Sequence, residues 1–107
     1  MFVAYEVSLE LIGSLREVVP AIARRDWDLA DQLRRAATSV ALNLNEGARY
    51  RDGNRGKHYN IAHGSANEVK AALDVAIGWG LSVEATKSRA ILDRLLGLLW
   101  GLTRARA

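Results

Sequence analysis

The sequence predicts an all-α protein, an antiparallel up-down-up-down four-helix bundle formed by one domain over residues 1–107. Apolar residues recur at helical spacing through most of the chain, and no segment shows the alternation of a half-buried strand. Breaks that contain proline or glycine, near Pro20, Gly53 and Gly80, divide the chain into four segments of similar length. Short connections between four such helices are typical of an up-down bundle.

The first helix is predicted over about residues 2–19, because Leu11, Leu15 and Val18 fall on one side of a helix. Pro20, the only proline, is expected to end it. The second helix is predicted to begin at Trp27, with Asp26 or Asp28 capping its first N–H groups, and to run to about residue 50.

The second helix carries a polar line beside its apolar stripe. Ser39, Asn43 and Glu46 share one face at spacings of four and three. Polar groups this close to a core need partners, since a buried group without one costs about 1–3 kcal/mol. Ser65 and Glu68 of the third helix offer partners, so these five residues are predicted to form a structural network that fixes helix register. Glu46 as an active-site carboxylate is the less favoured alternative.

The third helix is predicted from about residue 54 to a terminating glycine, Gly80. Gly64 lies in its middle, where glycine costs roughly 1 kcal/mol relative to alanine. We therefore expect a neighbouring backbone to approach Gly64 closely.

The fourth helix is predicted over about residues 83–104, with Ser82 as its cap, and it has more apolar surface than one pair of neighbours can cover. The surplus predicts a homo-oligomer; a broader core within one chain is the alternative. The predicted oligomer interface consists of Leu92, Leu96, Leu99 and Trp100.

Basic residues concentrate around the end of the second helix. The chain has a net charge of +3, and most of its cations are arginine, which suits bidentate contacts with phosphate or carboxylate. The candidate nucleic-acid-binding residues are Arg34, Arg35, Arg49, Arg51, Arg55 and Lys57. An ordinary solvated surface is the alternative interpretation. Tyr50 and Tyr59 lie beside this cluster; either could stack on bases, although Tyr59 fits the core better.

Several classes of function are disfavoured. The chain has no cysteine, which excludes disulfides and thiolate chemistry and fits a cytoplasmic protein. Its N-terminus lacks the pattern of a secretory signal, and its longest uncharged apolar run is far shorter than a membrane span, so no membrane association is expected. His58 and His63 are five residues apart, and neither follows a glutamate at the spacing of a di-iron site. We expect no catalytic residues, no metal, no cofactor and no enzymatic activity.

Several segments in and after the polar line form a recognisable pattern: Gln32-Leu33-Arg34-Arg35-Ala36-Ala37, Ser39-Val40, Asn43-Leu44-Asn45-Glu46-Gly47, Ala62-His63-Gly64-Ser65 and Glu68. These residues resemble the family of 23S rRNA intervening-sequence proteins, which includes the accessory proteins of diversity-generating retroelements. The resemblance implies a small cytosolic four-helix bundle that assembles as a homopentamer. For the retroelement branch it also implies a basic surface that binds nucleic acid and a reverse transcriptase.

Together these observations predict a non-enzymatic oligomeric scaffold that binds RNA or DNA without strong sequence preference. The alternative is a protein-binding adaptor, whose basic surface docks an acidic protein partner.

Overall fold

The computed structural model of this protein describes residues 2–104, which form four α-helices. Helix α1 spans Val3–Ala23, α2 spans Trp27–Gly47, α3 spans Gly53–Gly78 and α4 spans Thr86–Thr103. The helices pack in a ring, α1 on α2, α2 on α3, α3 on α4 and α4 on α1, with the most extensive interface between α2 and α3. The predicted all-α four-helix bundle is confirmed.

The core runs along the bundle axis and is built mainly from aliphatic side chains. Each helix contributes residues at spacings of three and four, as expected for an amphipathic helix. The largest apolar side chains that are fully buried are Val7, Leu11, Ile22, Leu33, Val40, Leu44, Val69, Leu92, Leu95 and Leu99.

Pro20 does not end α1, contrary to the prediction. The helix continues to Ala23. Proline cannot donate to the carbonyl four residues earlier, at Arg16. Both Pro20 and Arg16 are exposed, so water can hydrate that carbonyl and the helix tolerates the missing bond.

Helix α2 begins as predicted and ends earlier than predicted. The Leu29 backbone N–H donates to Asp26 Oδ1 at 3.0 Å, so Asp26 is the cap. The helix ends at Gly47, where Tyr59 of α3 lies close: a Cβ on Gly47 would lie 2.7 Å from Tyr59 Cε1. The close approach expected at Gly64 was wrong, since a Cβ there would meet nothing within 4 Å.

Helix α3 has a cap at both ends. At its start the Asn54 backbone N–H donates to Asp52 Oδ1 at 2.9 Å. At its end Gly80 takes a positive φ of 78°, and the Leu81 N–H donates to the Ala76 carbonyl at 2.9 Å. This pattern is a Schellman motif, which confirms Gly80 as the terminator.

The connection between α3 and α4 is longer than predicted, because α4 begins at Thr86 and Ser82 does not cap it. Residues alternate along this connection: Leu81 and Val83 are half-buried against the core, whereas Ser82 and Glu84 are exposed. This alternation suits an extended segment rather than a helical turn. Glu84 Oε1 accepts from the Thr86 N–H at 2.7 Å where the helix starts.

The bundle has two distinct ends. We call one the α2–α3 end: it contains the connection over residues 48–52, the start of α1 and the end of α4. The opposite end contains the connections over residues 24–26 and 79–85.

Candidate nucleic-acid interface

The six basic residues predicted to bind nucleic acid fall into two groups. Arg34 and Arg35 lie on α2, where both are exposed and both pair with Asp31, at 3.1 and 3.8 Å. The other four lie at the α2–α3 end. Arg35 and Arg49 are fourteen residues apart along the chain, which corresponds to about 20 Å of helix. The structure therefore does not bring the six residues into one patch.

The group at the α2–α3 end differs in its ion pairing. Arg49 pairs with Glu46 at 3.4 Å. Within residues 2–104, Arg51, Arg55 and Lys57 make no ion pair. A guanidinium without a carboxylate partner keeps its donors available for another anion.

A cavity of about 340 Å³ opens beside these residues. Its walls come from the α2–α3 connection, the first turns of α3 and the end of α4. The charged and polar side chains that line it are Arg51, Asp52, Arg55, Tyr59, Asn60, Thr103 and Arg104. Sequence reasoning missed Arg104, because only the bundle topology places the end of α4 beside the start of α3.

The polar line of α2 meets α3 through two serines. Ser39 and Ser65 lie with their Oγ atoms 2.8 Å apart. Asn43 Nδ2 donates to the Ser39 carbonyl at 3.0 Å and to Ser39 Oγ at 3.1 Å. Asn43 Oδ1 is 2.9 Å from Nδ1 of His58, so His58 carries a proton on Nδ1 and donates it. His58 was weighed as a metal ligand in the sequence, and its place in this network was missed.

The two glutamates of the predicted network lie elsewhere, which corrects that prediction. Glu68 is exposed and makes no side-chain hydrogen bond among the described residues. Glu46 is half-buried, and its Oε2 accepts from the Tyr50 hydroxyl at 3.0 Å rather than from α3. A carboxylate inside the interface would need a positive or donating partner, whereas serine and asparagine satisfy one another.

Tyr50 links Glu46 to the network, because its ring stacks on that of His58 with centroids 5.8 Å apart. The hydrogen bond to Glu46 raises the pKa of the Tyr50 hydroxyl above its ordinary value. Tyr59 is buried, with 6% of its surface exposed. Neither tyrosine therefore presents two open ring faces to a base.

The oligomer interface predicted on α4 also needs correction. Leu92 and Leu99 are 1% and 0% exposed, so both belong to the core of this chain. Leu96 is half-buried, and Trp100 is 60% exposed. The surplus of apolar surface instead extends over the other helices, where the exposed large residues are Val3, Leu9, Trp27, Leu42, Ile61, Val75, Ile77 and Trp79.

The second histidine lies on another face of α3 from the first. His63 Nδ1 donates to Thr103 Oγ1 at 3.0 Å, and Thr103 in turn donates to the Leu99 carbonyl. No three histidine, aspartate or glutamate side chains of residues 2–104 come together as metal ligands. In the same residues, no helix is both long enough and apolar enough to cross a bilayer.

The family model described as 23S rRNA-intervening sequence protein matches residues 3–98. The chain belongs to this family. The matched residues include the polar line of α2 and its partners on α3. They also include all six basic residues that were predicted to bind nucleic acid. Searches of curated proteins and of solved structures each gave no match.

Only some of the residues that line the cavity lie within the part of the chain that the family model matches. Arg51, Asp52 and Arg55 lie within the matched residues, whereas Arg104 follows them. One wall of the cavity therefore comes from residues beyond those that the family model matches.

Proposed function

We propose that this family member is a non-enzymatic oligomeric scaffold that binds RNA or DNA through phosphate groups, without strong sequence preference. The observation that carries the proposal is the α2–α3 end, where Arg51, Arg55 and Lys57 lie close together in sequence without an ion pair among the described residues. Phosphate contacts supply most of the affinity in binding of this kind. The description of the family, which refers to ribosomal RNA, agrees with such a ligand.

The other three predicted cations contribute less in this proposal. Arg34 and Arg35 share Asp31, and Arg49 holds Glu46, so each must exchange a carboxylate for a phosphate. Exposed pairs of this type are worth about 0–1 kcal/mol, which makes the exchange feasible with little net gain. These arginines extend the surface along α2 and leave the α2–α3 end as its centre.

Assembly strengthens the proposal. Half-buried Leu96 and exposed Trp100 remain available on α4, and Trp27, Leu42 and Trp79 add exposed apolar surface on α2 and near the end of α3. We propose that these residues supply the contacts of the homopentamer that the family resemblance implies. Five copies of a chain with net charge +3 would carry about +15, which concentrates polyanions at the particle surface.

The test is a titration of single-stranded RNA and DNA of about sixteen nucleotides at several salt concentrations. We expect similar affinities for the two polymers and a loss of affinity between about 50 and 200 mM salt. Light scattering on the same samples gives the subunit count, for which we expect five.

Two variants of equal charge locate the surface. The first changes Arg51, Arg55 and Lys57 to Gln, and the second changes Arg24, Arg25 and Lys87 to Gln, all of which are exposed at the opposite end. For single strands the slope of log K against log salt is about 0.7 per phosphate contact, so the first variant should reduce it by about 2 and the second by much less. No binding at low salt, or an equal effect of both variants, would contradict the proposal.

The alternative is an adaptor that docks an acidic protein partner on the same basic surface. Exposed Trp27, Ile77 and Trp79 favour a protein contact somewhere on the molecule, because large aromatic residues are enriched at protein interfaces. A reverse transcriptase is the protein partner that the retroelement branch of the family implies. Binding of an acidic polypeptide such as poly-glutamate, without binding of RNA or DNA, would favour this alternative. In both cases we propose a cytoplasmic location, as the cysteine-free sequence suggests.

A further inference from the structure

Arg55 has an unusual position in the cavity at the α2–α3 end. It is half-buried, it lines the cavity, and its Nε atom is buried without a hydrogen-bond partner among the described residues. Nε itself has almost no accessible surface, so a ligand in the cavity would meet the terminal nitrogens of this guanidinium. Arg55 makes no ion pair among the described residues, which leaves its positive charge available to an anionic group that enters the cavity.

The charge of the cavity identifies the anion. Three guanidinium groups line it, those of Arg51, Arg55 and Arg104, against one carboxylate, Asp52. Asp52 Oδ1 is already engaged as the cap of α3 through the Asn54 N–H. The remaining charge of about +2 matches a phosphate monoester, which carries about −1.5 to −2 at neutral pH. An internal phosphodiester carries only one negative charge.

Two parts of the chain form the walls of the cavity. Residues 51–60 form one side, and Leu102, Thr103 and Arg104 at the end of α4 form another. The Cζ atom of Arg104 lies 5.7 Å from the centroid of the Trp100 ring, which is within the range of a cation–π contact.

We propose that this cavity binds the terminal phosphate monoester of a single strand of RNA or DNA. The proposal rests on the nucleic-acid function above and names the part of the polymer that is recognised. Arg51, Arg55 and Arg104 bind the phosphate oxygens, and the Asn60 side chain, which also lines the cavity, is placed to donate to the same group.

The experiment compares ten-nucleotide strands of one sequence, as RNA and as DNA, with a 5′-phosphate, a 3′-phosphate or a hydroxyl at both ends. Fluorescence anisotropy, with the dye on an internal base, gives each affinity at low salt. We expect one of the phosphorylated ends to bind about tenfold more tightly than the hydroxyl-ended strand. The comparison of 5′- with 3′-phosphate, and of RNA with DNA, shows which strand end supplies the phosphate.

Three variants locate the effect. Arg55→Gln and Arg104→Gln should each remove the gain from the terminal phosphate, and Arg104 is exposed, so its replacement leaves the fold intact. Arg24→Gln removes the same charge at the opposite end and should keep the gain. Equal binding of phosphorylated and hydroxyl-ended strands, or a gain that survives in both cavity variants, would overturn the proposal and leave the proposed function standing. Absence of binding to every strand would overturn both.

Discussion

The two ends of this bundle differ in how they are held and in what they expose. At the α2–α3 end the helices fit closely: Tyr59 lies against Gly47, and Asn43 bridges Ser39 and His58. At the opposite end a connection without helical structure over residues 81–85 packs against the core, and Trp27 and Trp79 are 67% and 74% exposed.

This difference separates two kinds of surface on one small domain. The α2–α3 end brings Arg51, Arg55 and Arg104 around one cavity, which suits recognition of a small, highly charged group such as phosphate. Exposed tryptophans beside an extended connection suit contact with another protein surface. We expect the polar network to fix the register of α2 against α3, through the contact between Ser39 and Ser65 and the hydrogen bond between Asn43 and His58. Three substitutions test whether the two ends differ as described.

The largest effect is expected where α2 meets α3. Gly47 and Gly78 are the last residues of α2 and α3, and they lie at opposite ends of the bundle. Gly47→Ala would place a methyl group 2.7 Å from a carbon of the buried Tyr59 ring, so we expect it to destabilise the fold by about 1–3 kcal/mol. Urea unfolding, followed by circular dichroism, measures the change.

Gly78→Ala is the matched control, since a Cβ there meets nothing within 4 Å. Replacing glycine by alanine in a helix should then be neutral or stabilise the fold by up to about 1 kcal/mol. If both substitutions shifted stability in the same direction and by the same amount, the close fit at the α2–α3 end would not be the feature that distinguishes it.

A smaller loss is expected from the polar network. Asn43→Ala removes the acceptor of His58 Nδ1 and the two donations to Ser39, so we expect a loss of about 1–2 kcal/mol. Glu68→Ala removes an exposed side chain outside the network and should change stability by less than about 0.5 kcal/mol. Equal melting temperatures for the two variants would show that the network does not hold α2 against α3.

The smallest effect is expected at the α3–α4 pairing towards the opposite end. The hydrogen bond from Arg89 to Asp74, 3.0 Å long, lowers the pKa of Asp74 in the folded state, with Lys70 adding to the shift. The pair therefore stabilises the fold above the ordinary pKa range of aspartate, and that contribution disappears as the pH falls through the lowered pKa. It is small because both side chains are partly exposed.

Asp74→Asn should lower the urea midpoint slightly at neutral pH, and the difference from the unchanged protein should narrow as the pH falls below the ordinary pKa range of aspartate. A difference that grew on acidification would mean that the carboxylate opposes folding at this position.

The sequence predicted the presence of each helix more accurately than the residues at which the helix begins and ends. Periodicity located all four helices; one of the two candidate caps, Asp26, caps α2, and Gly80 terminates α3 as predicted, because caps are local chemistry. Pro20 and Ser82 were misread. An exposed helix face tolerates a proline, and the half-buried Leu81 and Val83 keep the segment before α4 extended.

Side-chain roles were less predictable than helices. Leu92 and Leu99 were predicted to contact another subunit, yet the two neighbours of α4 cover both completely. Glu68 shares a helix with Ser65, but a three-residue step turns it towards solvent. Counting apolar residues on one helix cannot show how much of its surface the other helices cover.

The sequence by itself determined the fold class, the family and the local basic character of residues 49–57, because each depends on the order and spacing of neighbouring residues. Only the tertiary structure decided which polar groups meet and which cations share a cavity. His58 reaches Asn43 from fifteen positions away, and Arg104 joins Arg51 and Arg55 from the other end of the chain. Such contacts depend on how the helices pack, and spacing along one helix does not record that packing.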